Sequence, residues 1–437
     1  MREASWQTKR LRYLASLNPS KSEIADVDRA TEVSFIPMEA VSENGGLDLT
    51  QNRPIAEVES GYTFLREGDV AYAKITPCFE NGKAAVMVGL TEGIAFGTTE
   101  LTVLRAKPGI AHGRFLFWLI KSPEFSFAGE ATMTGAGGQK RVPDAFTRNF
   151  EIACPPLPEQ QAIADFLDRE TEKIDALVGE QRRLIALLKE KRQAVTSHAV
   201  TKGLDPTASL KPSGLDWLGD IPAHWEVTSL RRLVDPKRRI TYGIVQPGSP
   251  DPNGRYMIRG QDYSKGWVHE DEVFRVSPAI EEPYRRARLA TGDIVVTIVG
   301  AGTGNTALVP EGFNGANITQ TTARIAPLQG YISSDFLLAT LASEVGQQQV
   351  RLFQKGAAQP GLNLEHLAAF RFPVPPLAEQ HEISRITSAK TDGFDALTAE
   401  ATRAITLLQE RRAALISAAV TRKIDVRDAL SDDEEAA

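Results

Sequence analysis

Two long stretches of the chain place apolar residues three and four positions apart, whereas the rest carries short apolar runs broken by glycine, proline and asparagine. The three-and-four spacing predicts amphipathic helices, each with one apolar stripe. No proline interrupts the first stretch from Glu159 to Val200, so a continuous helix there would extend roughly 60 Å at about 1.5 Å per residue. The stripe residues are Ile163, Leu167, Ile174, Leu177, Leu184 and Leu188 in the first stretch, and Ile383, Phe394, Leu397, Leu408 and Leu415 in the second.

The two stretches are copies of one another. Pro155–Gln160 (Pro-Pro-Leu-Pro-Glu-Gln) returns 220 residues later as Pro375–Gln380 (Pro-Pro-Leu-Ala-Glu-Gln), and the match continues without a gap to Asp425. The segments before each copy match more weakly and in the same order, for example Gly68-Asp69-Val70 with Gly292-Asp293-Ile294. The chain therefore contains an internal repeat, and each copy consists of a variable domain followed by a shared helix.

Two interpretations of the helices are open from the residues alone. Each helix could pack only on its own domain, although it would be far longer than the usual three turns. Alternatively, the helices pair with each other as a stiff spacer. Two equivalent halves that close on themselves favour a pseudo-two-fold arrangement, in which the pair would be an antiparallel coiled coil.

The variable domains each predict an α+β fold in which short strands dominate. A Gly-Asp turn precedes the first candidate buried strand of each domain, and a return strand and a helical pattern follow. We expect the segment 202–223 between the halves to contain no regular element, because glycine and proline recur in it. The candidate strands are 69–75, 83–88, 293–299 and 306–309, and the candidate helices are 114–121 and 334–343.

Basic residues cluster in the variable domains. A charge run is often only a solvated face, but the loops 134–141 and 354–359 also combine glycine with Thr, Gln, Lys and Arg. Lys and Arg neutralise phosphates, and Asn, Gln, Arg and Thr can read base edges, so the combination favours a surface that binds duplex DNA. The clusters are Lys9, Arg10 and Arg12, then Arg231, Arg232, Lys237, Arg238 and Arg239, then Arg285, Arg286 and Arg288.

Composition restricts this interpretation. The net charge of −6 argues against a chain that coats nucleic acid unaided, and it predicts that the isolated chain binds DNA weakly. Two cysteines and six scattered histidines predict no metal site. The sequence contains no apolar run of about 18 residues and no signal-like start, so we expect a cytoplasmic protein without membrane contact.

A glycine-rich segment, Gly300-Ala301-Gly302-Thr303-Gly304, follows a candidate strand and could be mistaken for the cofactor loop of a methyltransferase. That loop requires a helix next, whereas Thr306–Val309 predicts a strand. Walker A and amino-methylation motifs are missing from the sequence as well. We therefore predict no catalytic residue in this chain.

The doubled order of these features resembles the specificity subunit of type I restriction-modification enzymes. The resemblance depends on the Pro-Pro-Leu-x-Glu-Gln openings at 155 and 375, the two Gly-Asp-Val/Ile strands and the segment Trp217–Trp225. The first half starts at Trp6 without a counterpart of that last segment. The resemblance covers residues 6 to about 425.

In that family, each variable domain is a target recognition domain that reads one half of a bipartite DNA sequence. The resemblance implies that the paired helices set the unread gap and bind two modification subunits, and that restriction/translocase subunits join the full complex. It also implies that S-adenosylmethionine, ATP and Mg are bound by partner subunits, so that this chain performs no chemistry. The implied parts are target recognition domains 1–154 and 225–374, spacer helices 155–203 and 375–425, a linker 204–224 and an acidic, disordered tail 426–437.

Polar side chains on the loops of both domains are the predicted DNA contacts, although each could instead be an ordinary turn or capping residue. The alternative to DNA recognition is a coiled-coil scaffold or adaptor. The predicted contacts are Lys74, Asn81, Lys83, Gln139, Lys140 and Arg141 in the first domain, and Arg259, Gln261, Thr297, Thr303, Asn305, Gln359 and Asn363 in the second.

Overall fold

The computed structural model describes residues 6–354 and 361–426. The chain divides into unit 1, made of Met1–Arg182 with Thr402–Ala437, and unit 2, made of Arg183–Ala401. Each unit therefore contains one variable domain, the adjoining half of one long helix and the distant half of the other. This division confirms the prediction of two globular domains joined by shared helices. Gln359 and the tail after residue 426 lie outside the described residues.

The described part of unit 1 contains two four-stranded sheets and two strand pairs. Its strands are β1 (Gln7–Arg10), β2 (Ala15–Leu17), β3 (Glu32–Ile36), β4 (Asn52–Pro54), β5 (Thr63–Arg66), β6 (Val70–Ala73), β7 (Ala84–Val86), β8 (Ile94–Gly97), β9 (Leu101–Ala106), β10 (Thr134–Ala136), β11 (Gln139–Arg141) and β12 (Glu151–Cys154). One sheet has the order β2-β9-β6-β7 and is antiparallel. The other has the order β4-β3-β8-β5, with β3 and β8 parallel. The pairs are β1 with β12 and β10 with β11.

The described part of unit 2 repeats this arrangement with shorter strands. Its strands are β13 (Leu210–Pro212), β14 (Asp220–Pro222), β15 (Glu226–Ser229), β16 (Thr241–Tyr242), β17 (Arg255–Ile258), β18 (Arg275–Val276), β19 (Ile294–Thr297), β20 (Thr306–Leu308), β21 (Asn317–Ile318), β22 (Thr322–Ile325) and β23 (Arg371–Val374). The sheet β16-β22-β19-β20 corresponds to β2-β9-β6-β7, and β18-β17-β21, with β17 and β21 parallel, corresponds to the second sheet of unit 1. The pair β15–β23 corresponds to β1–β12.

Helices accompany the sheets in both units, which together with the mainly antiparallel strands confirms the α+β class. The helices predicted at 114–121 and 334–343 are present as Gly113–Ile120 and Ser334–Ala342. The helices are α1 (Leu11–Leu14), α2 (Ile55–Val58), α3 (Gly113–Ile120), α4 (Pro123–Thr132), α5 (Asp144–Asn149), α6 (Leu157–Lys202), α7 (Pro278–Glu281), α8 (Ser334–Ala342), α9 (Glu344–Phe353), α10 (Leu364–Ala369) and α11 (Leu377–Val420).

The segment between the two halves forms a hairpin, so the prediction that it would contain no regular element is wrong. Strands β13 and β14 pair antiparallel, and Leu218, Ile221 and Trp225 are buried in the core of unit 2. Proline is tolerated here because a two-stranded ribbon consists only of edge strands. Burial of these large apolar side chains outweighs the turn-forming composition from which the prediction was made.

A buried aspartate closes the turn before the first buried strand of the main sheet in each unit. Asp69 accepts the N–H of Arg66 at 2.8 Å and binds the Arg105 guanidinium through both carboxylate oxygens at 2.7 Å. Asp293 binds Arg238 in the same bidentate way, at 2.6 and 2.7 Å. The preceding glycine has a positive φ in both units, a conformation that glycine adopts without strain. The repeated Gly-Asp motif is therefore a structural device of the sheet.

A buried glutamine attaches each domain to its long helix. Gln160 and Gln380 occupy the same place in the Pro-Pro-Leu-x-Glu-Gln motif, and both are almost fully buried. Each side-chain oxygen accepts one N–H, and each side-chain nitrogen donates to two carbonyls, at 2.7 to 3.1 Å. Because unpaired buried carbonyls are costly, this residue fixes where the loop before α3 or α8 meets the helix. The partners are His112, Ile110 and Pro155 for Gln160, and Ser333, Tyr331 and Pro375 for Gln380.

Helices α6 and α11 pair antiparallel, because each unit joins the early part of one helix to the late part of the other. In unit 1, the Arg412 guanidinium binds the Asp175 carboxylate at 3.1 Å. In unit 2, Arg192 binds Asp395 at 3.3 Å. The two ion pairs link equivalent positions of the repeat, so one contact is made twice. This arrangement confirms the antiparallel coiled coil with an internal pseudo-two-fold repeat.

The apolar stripe differs from the prediction at three positions. Leu177, Leu184 and Leu397 are 45%, 41% and 53% exposed. After Ile174 and after Phe394, the next inward position comes four residues later rather than three. The inward position therefore falls on the residue that follows each predicted leucine. The prediction selected the leucines and missed the residues that follow them. The residues that occupy the inward positions are Val178, Ile185 and Thr398.

The remaining stripe residues are buried or half-buried. The buried ones are Ile163, Leu167, Ile174, Leu188 and Ile383, and the half-buried ones are Phe394, Leu408 and Leu415.

The corrected register predicts opposite outcomes for two adjacent substitutions. Val178→Ala should lower the free energy of unfolding of unit 1 by about 1–2 kcal/mol, because two buried methyl groups are lost. Leu177→Ala should change it by less than about 0.5 kcal/mol, because that side chain is exposed. Urea unfolding followed by circular dichroism measures both, and a larger loss for Leu177→Ala would contradict the register.

Candidate nucleic-acid interface

The hairpin β10–β11 of unit 1 is joined by backbone hydrogen bonds to the segment that follows β6. The N–H of Thr76 donates to the carbonyl of Lys140 at 2.9 Å, and the N–H of Val142 donates to the carbonyl of Lys74, also at 2.9 Å. A bridge pairs Ile75 with Arg141. Residues that are far apart in sequence, on the loop 74–83 and on the hairpin, are thereby brought to one surface, as a common binding site requires.

Three glycines determine the shape of this hairpin. Gly137 and Gly138 form its two-residue turn with φ of 63° and 80°, which is the conformation of the turn that matches the twist of paired strands. Gly135 has a φ of 147°, and a Cβ added there would lie 2.3 Å from the Gln139 carbonyl oxygen. The backbone at Gly135 therefore approaches the opposite strand too closely for any other residue.

The predicted contacts of unit 1 divide into available and engaged side chains. Asn81, Gln139 and Lys140 are exposed and Lys74 is half-buried. Arg141 instead binds both carboxylate oxygens of Glu100, at 2.8 and 2.9 Å. That hydrogen-bonded ion pair holds the pKa of Glu100 below its ordinary value. Such a guanidinium is already committed, which favours a structural role for Arg141.

Lysines support the loop that carries Asn81. The Lys83 ammonium donates to the Met38 carbonyl at 3.2 Å. The Lys121 ammonium donates to the carbonyl of Gly82 at 2.5 Å and to that of Glu43 at 2.6 Å. Burial, reinforced by the nearby charge of Arg412, lowers the pKa of Lys121 to about 8. Lys121 was missed by sequence reasoning because it follows directly on α3, a helix whose predicted pattern indicated only packing.

In unit 2 the corresponding loops border an open cavity of about 540 Å³. Arg259, Gln261, Thr297 and Asn305 all line it, so the fold brings together four predicted contacts from separate parts of the chain. Gln320 lines it too and was missed. The polar run 319–321 before the buried strand β22 is the signal that could have found this residue.

Two of these side chains are engaged in internal contacts. The Arg259 guanidinium binds the buried carboxylate of Asp262, at 3.1 and 3.2 Å. The Thr297 hydroxyl, which is almost fully buried, shares a 2.7 Å hydrogen bond with the Tyr263 hydroxyl. Burial raises the pKa of Tyr263 above its ordinary value. The exposed amides of Gln261 and Asn305 are the better placed of the four to meet a ligand.

The remaining predicted contacts of unit 2 lie at the margin of this cavity or beyond it. The Thr303 hydroxyl donates to the Gly300 carbonyl at 2.7 Å. Asn363 caps α10 by accepting the N–H of Glu365 at 2.8 Å, and it borders a neighbouring cavity of about 400 Å³. Asn363 is therefore a capping residue, the ordinary role that the sequence also allowed. Gln359 lies outside the described residues.

The glycine-rich segment 300–304 joins two antiparallel strands, β19 and β20. This confirms the strand predicted after it and the interpretation that it is not the strand-to-helix turn of a methyltransferase. Within the described part of the chain, no group of three or more His, Cys, Asp or Glu side chains could hold a metal ion. Among the helices of those residues, none is both long and apolar enough to cross a membrane.

The basic clusters are partly consumed by ion pairs. Arg288 binds Glu281 at 2.7 and 2.8 Å, and Arg285 binds Glu282 at 3.1 Å. The cluster at 285–288 is therefore largely a paired surface rather than a binding one. The cluster at 231–239 borders a second cavity of about 780 Å³. This cavity is lined by the exposed residues Arg231, Arg232 and Arg239.

The comparisons with known proteins agree on one family. The family described as the type I restriction modification DNA specificity domain matches residues 6–184 and 253–407. Because this match covers more than half of the chain, the chain belongs to that family. The resemblance inferred from the doubled motifs is confirmed.

Curated relatives are type I restriction enzyme specificity subunits. The EcoAI specificity subunit of Escherichia coli is 45% identical over 159 residues, which are 36% of this chain and 26% of that protein. The EcoBI specificity subunit of Escherichia coli is 36% identical over 238 residues, 54% of this chain and 50% of that protein. The chain thus spans half the length or less of these two relatives.

Solved structures share the fold. A chain from a structural study of complex assembly and conformational transition in the type I R-M system has a TM-score of 0.71 and 18% identity, covering 96% of this chain and 98% of that one. The HsdS subunit from Thermoanaerobacter tengcongensis has a TM-score of 0.52 and 18% identity, covering 97% and 98%. At this identity the likeness shows the architecture.

The close backbone approach in the hairpin leads to a testable prediction. Gly135→Ala should open the hairpin, because its methyl group collides with the backbone of Gln139 and Lys140. Hydrogen exchange at the Thr76 amide, which donates to Lys140, should accelerate at least about tenfold, equivalent to a local loss of about 1.4 kcal/mol. Gly137→Asn is the matched control, since asparagine tolerates that turn conformation; equal exchange in both variants would contradict the proposed clash.

Proposed function

We propose that the chain is the DNA-recognition component of a type I restriction-modification assembly. Each unit would contact one half of a bipartite duplex target through its loops, and α6 with α11 would set the spacing between the half-sites. Two modification subunits would dock on these helices, and restriction/translocase subunits would join through them. Since the substrate is cellular DNA, the assembly would work in the cytoplasm.

The observation that supports this proposal best is the repetition of one framework with different loop chemistry. Both units use the same main sheet, the same Gly-Asp turn and the same glutamine attachment. The surface of unit 1 presents Lys140 and Gln139, whereas the cavity of unit 2 presents mainly amides and hydroxyls. Two readers with a common scaffold and unlike contact residues suit an asymmetric target, because donors and acceptors at base edges carry the sequence information.

Exposed leucines on the long helices support the docking of partners. Leu177 and Leu397 are equivalent in the repeat, and so are Leu187 and Leu407, and all four are between 45% and 64% exposed. Each unit has one leucine of each kind. These leucines lie outside the buried stripe of the two helices, so they are available to a protein partner, and their duplication fits two copies of one partner.

Catalysis would belong to the partners. In this proposal the modification subunits bind S-adenosylmethionine and methylate adenine, while ATP and Mg serve the restriction subunits. The chain described here supplies recognition and assembly. The isolated chain, with its net charge of −6, would bind DNA weakly until modification subunits complete the positive surface.

Methylation mapping tests the recognition function directly. The chain is produced in cells together with type I modification subunits, and methylated adenines are located across the genome. We expect one asymmetric motif of two half-sites with a fixed gap, which disappears when the chain is omitted. A stable complex that yields no motif would favour the adaptor function instead.

Gel-shift titration tests the role of the partners in affinity. The complex with modification subunits should bind a duplex that contains the motif far more tightly than the isolated chain does. Tight, sequence-specific binding by the isolated chain would contradict the proposal that the partners complete the positive surface.

The salt dependence of binding should distinguish the lysines of unit 1. Lys140→Ala should reduce the slope of log K against log salt concentration by roughly one, because one phosphate contact is lost. Lys83→Met is the matched control and should leave the slope nearly unchanged, because the Lys83 ammonium is bound to the Met38 carbonyl. Equal slopes for Lys140→Ala and the parent would remove Lys140 from the interface.

Partner docking should depend on the exposed leucines. Leu407→Asp should weaken co-purification of the modification subunit at least tenfold, since a carboxylate cannot be buried unpaired in an apolar interface. Gln409→Asp introduces the same charge on another exposed side of α11 and should have little effect. Equal losses in both variants would indicate a general charge effect rather than docking at Leu407.

A further inference from the structure

Three side-chain amides surround the cavity of unit 2 defined above. They belong to Gln261, Asn305 and Gln320, which come from three separate loops. All three residues are exposed, and within the described part of the chain their amide groups make no side-chain hydrogen bond. Polar groups that converge from different loops without internal partners are available to a ligand.

The backbone beneath these amides is well fixed. The N–H of Gln320 donates to the Ile244 carbonyl at 2.9 Å, and the N–H of Asn305 donates to the Gly302 carbonyl at 2.9 Å. The carbonyl of Asn305 accepts the N–H of Thr297, also at 2.9 Å. Fixed loops that carry unengaged side chains form a pre-organised site, which reduces the ordering cost of binding.

The residues that the structure describes around the cavity offer little free positive charge. Arg259 is the charged residue among the described residues that line it, and two guanidinium nitrogens are bound to the Asp262 carboxylate. Guanine in the major groove presents two acceptors, which are best met by an unengaged Arg or Lys. The cavity is therefore poorly suited to read guanine.

The available groups fit an A·T pair instead. An amide offers one donor and one acceptor side by side, which matches N7 and the 6-amino group of adenine. Val245 and Val299, 40% and 38% exposed, add apolar surface at the border of the cavity. Apolar side chains of this kind contact the thymine methyl group.

We propose that unit 2 reads at least one A·T base pair in the major groove through Gln261, Asn305 and Gln320. This inference rests on the proposed function and adds the side chains that read an A·T pair in one half-site. It also makes a specific chemical claim. An amide that reads adenine accepts from the 6-amino group and donates to N7, so replacement of its nitrogen by oxygen removes the contact to N7 while the acceptor stays.

The test is methylation mapping with the variants Gln261→Glu, Asn305→Asp and Gln320→Glu, each in the complex with modification subunits. At least one variant should reduce the preference for adenine at one position of one half-site by roughly 5- to 160-fold, the discrimination typical of a bidentate contact. Cytosine, whose amino group suits a carboxylate acceptor, should gain at that position. The other half-site should stay unchanged.

Two results would overturn the inference while leaving the proposed function intact. The first is a normal bipartite motif that all three variants leave unchanged. The second is relaxation at a position that is a G·C pair in the parent motif. If the parent chain yields no motif at all, the proposed function itself has failed. Gln139→Glu on the hairpin of unit 1 is the matched control, and it should leave the half-site altered by the unit 2 variants unchanged.

Discussion

The apolar stripe shared by α6 and α11 is the constraint on which the rest of the structure depends. Helices of 46 and 44 residues are far longer than one domain can cover, and most of the stability of a helix comes from the packing of its apolar face. The stripe therefore needs a partner helix along its length. The long helices are stable because each buries its apolar stripe against the other.

The polar contacts between the helices contribute specificity rather than stability. The Asp175 carboxylate is 38% exposed and its partner Arg412 is 15% exposed, and partly exposed ion pairs are worth at most about 1 kcal/mol. Buried methyl groups along the stripe contribute more. The ion pair instead defines direction, because Asp175 can meet Arg412 only if the helices run antiparallel.

Internal ion pairs occupy several of the arginines of both units. Arg105, Arg141, Arg238 and Arg288 each bind a carboxylate in their own unit. Such pairs close turns and attach loops to sheets, so they are not available to phosphates. Among the described residues, the unpaired polar groups include the amides at the unit 2 cavity, the lysine of the unit 1 hairpin and the exposed arginines Arg231, Arg232 and Arg239.

The sequence by itself determined the repeat, the long helices, the α+β class, the strands after the Gly-Asp turns and the family. These features are local patterns or copies of one another. It misassigned Leu177, Leu184 and Leu397. A heptad contains one step of three residues and one of four, and the sequence alone does not show which of two adjacent residues the partner helix covers. It also missed the β13–β14 hairpin, whose stability comes from burying Leu218, Ile221 and Trp225. Only the tertiary structure decided which polar residues are available to a ligand. Arg141 binds Glu100 and Arg259 binds Asp262, whereas Gln320 lies exposed at the cavity. The physical reason is that packing determines which hydrogen-bond partners meet.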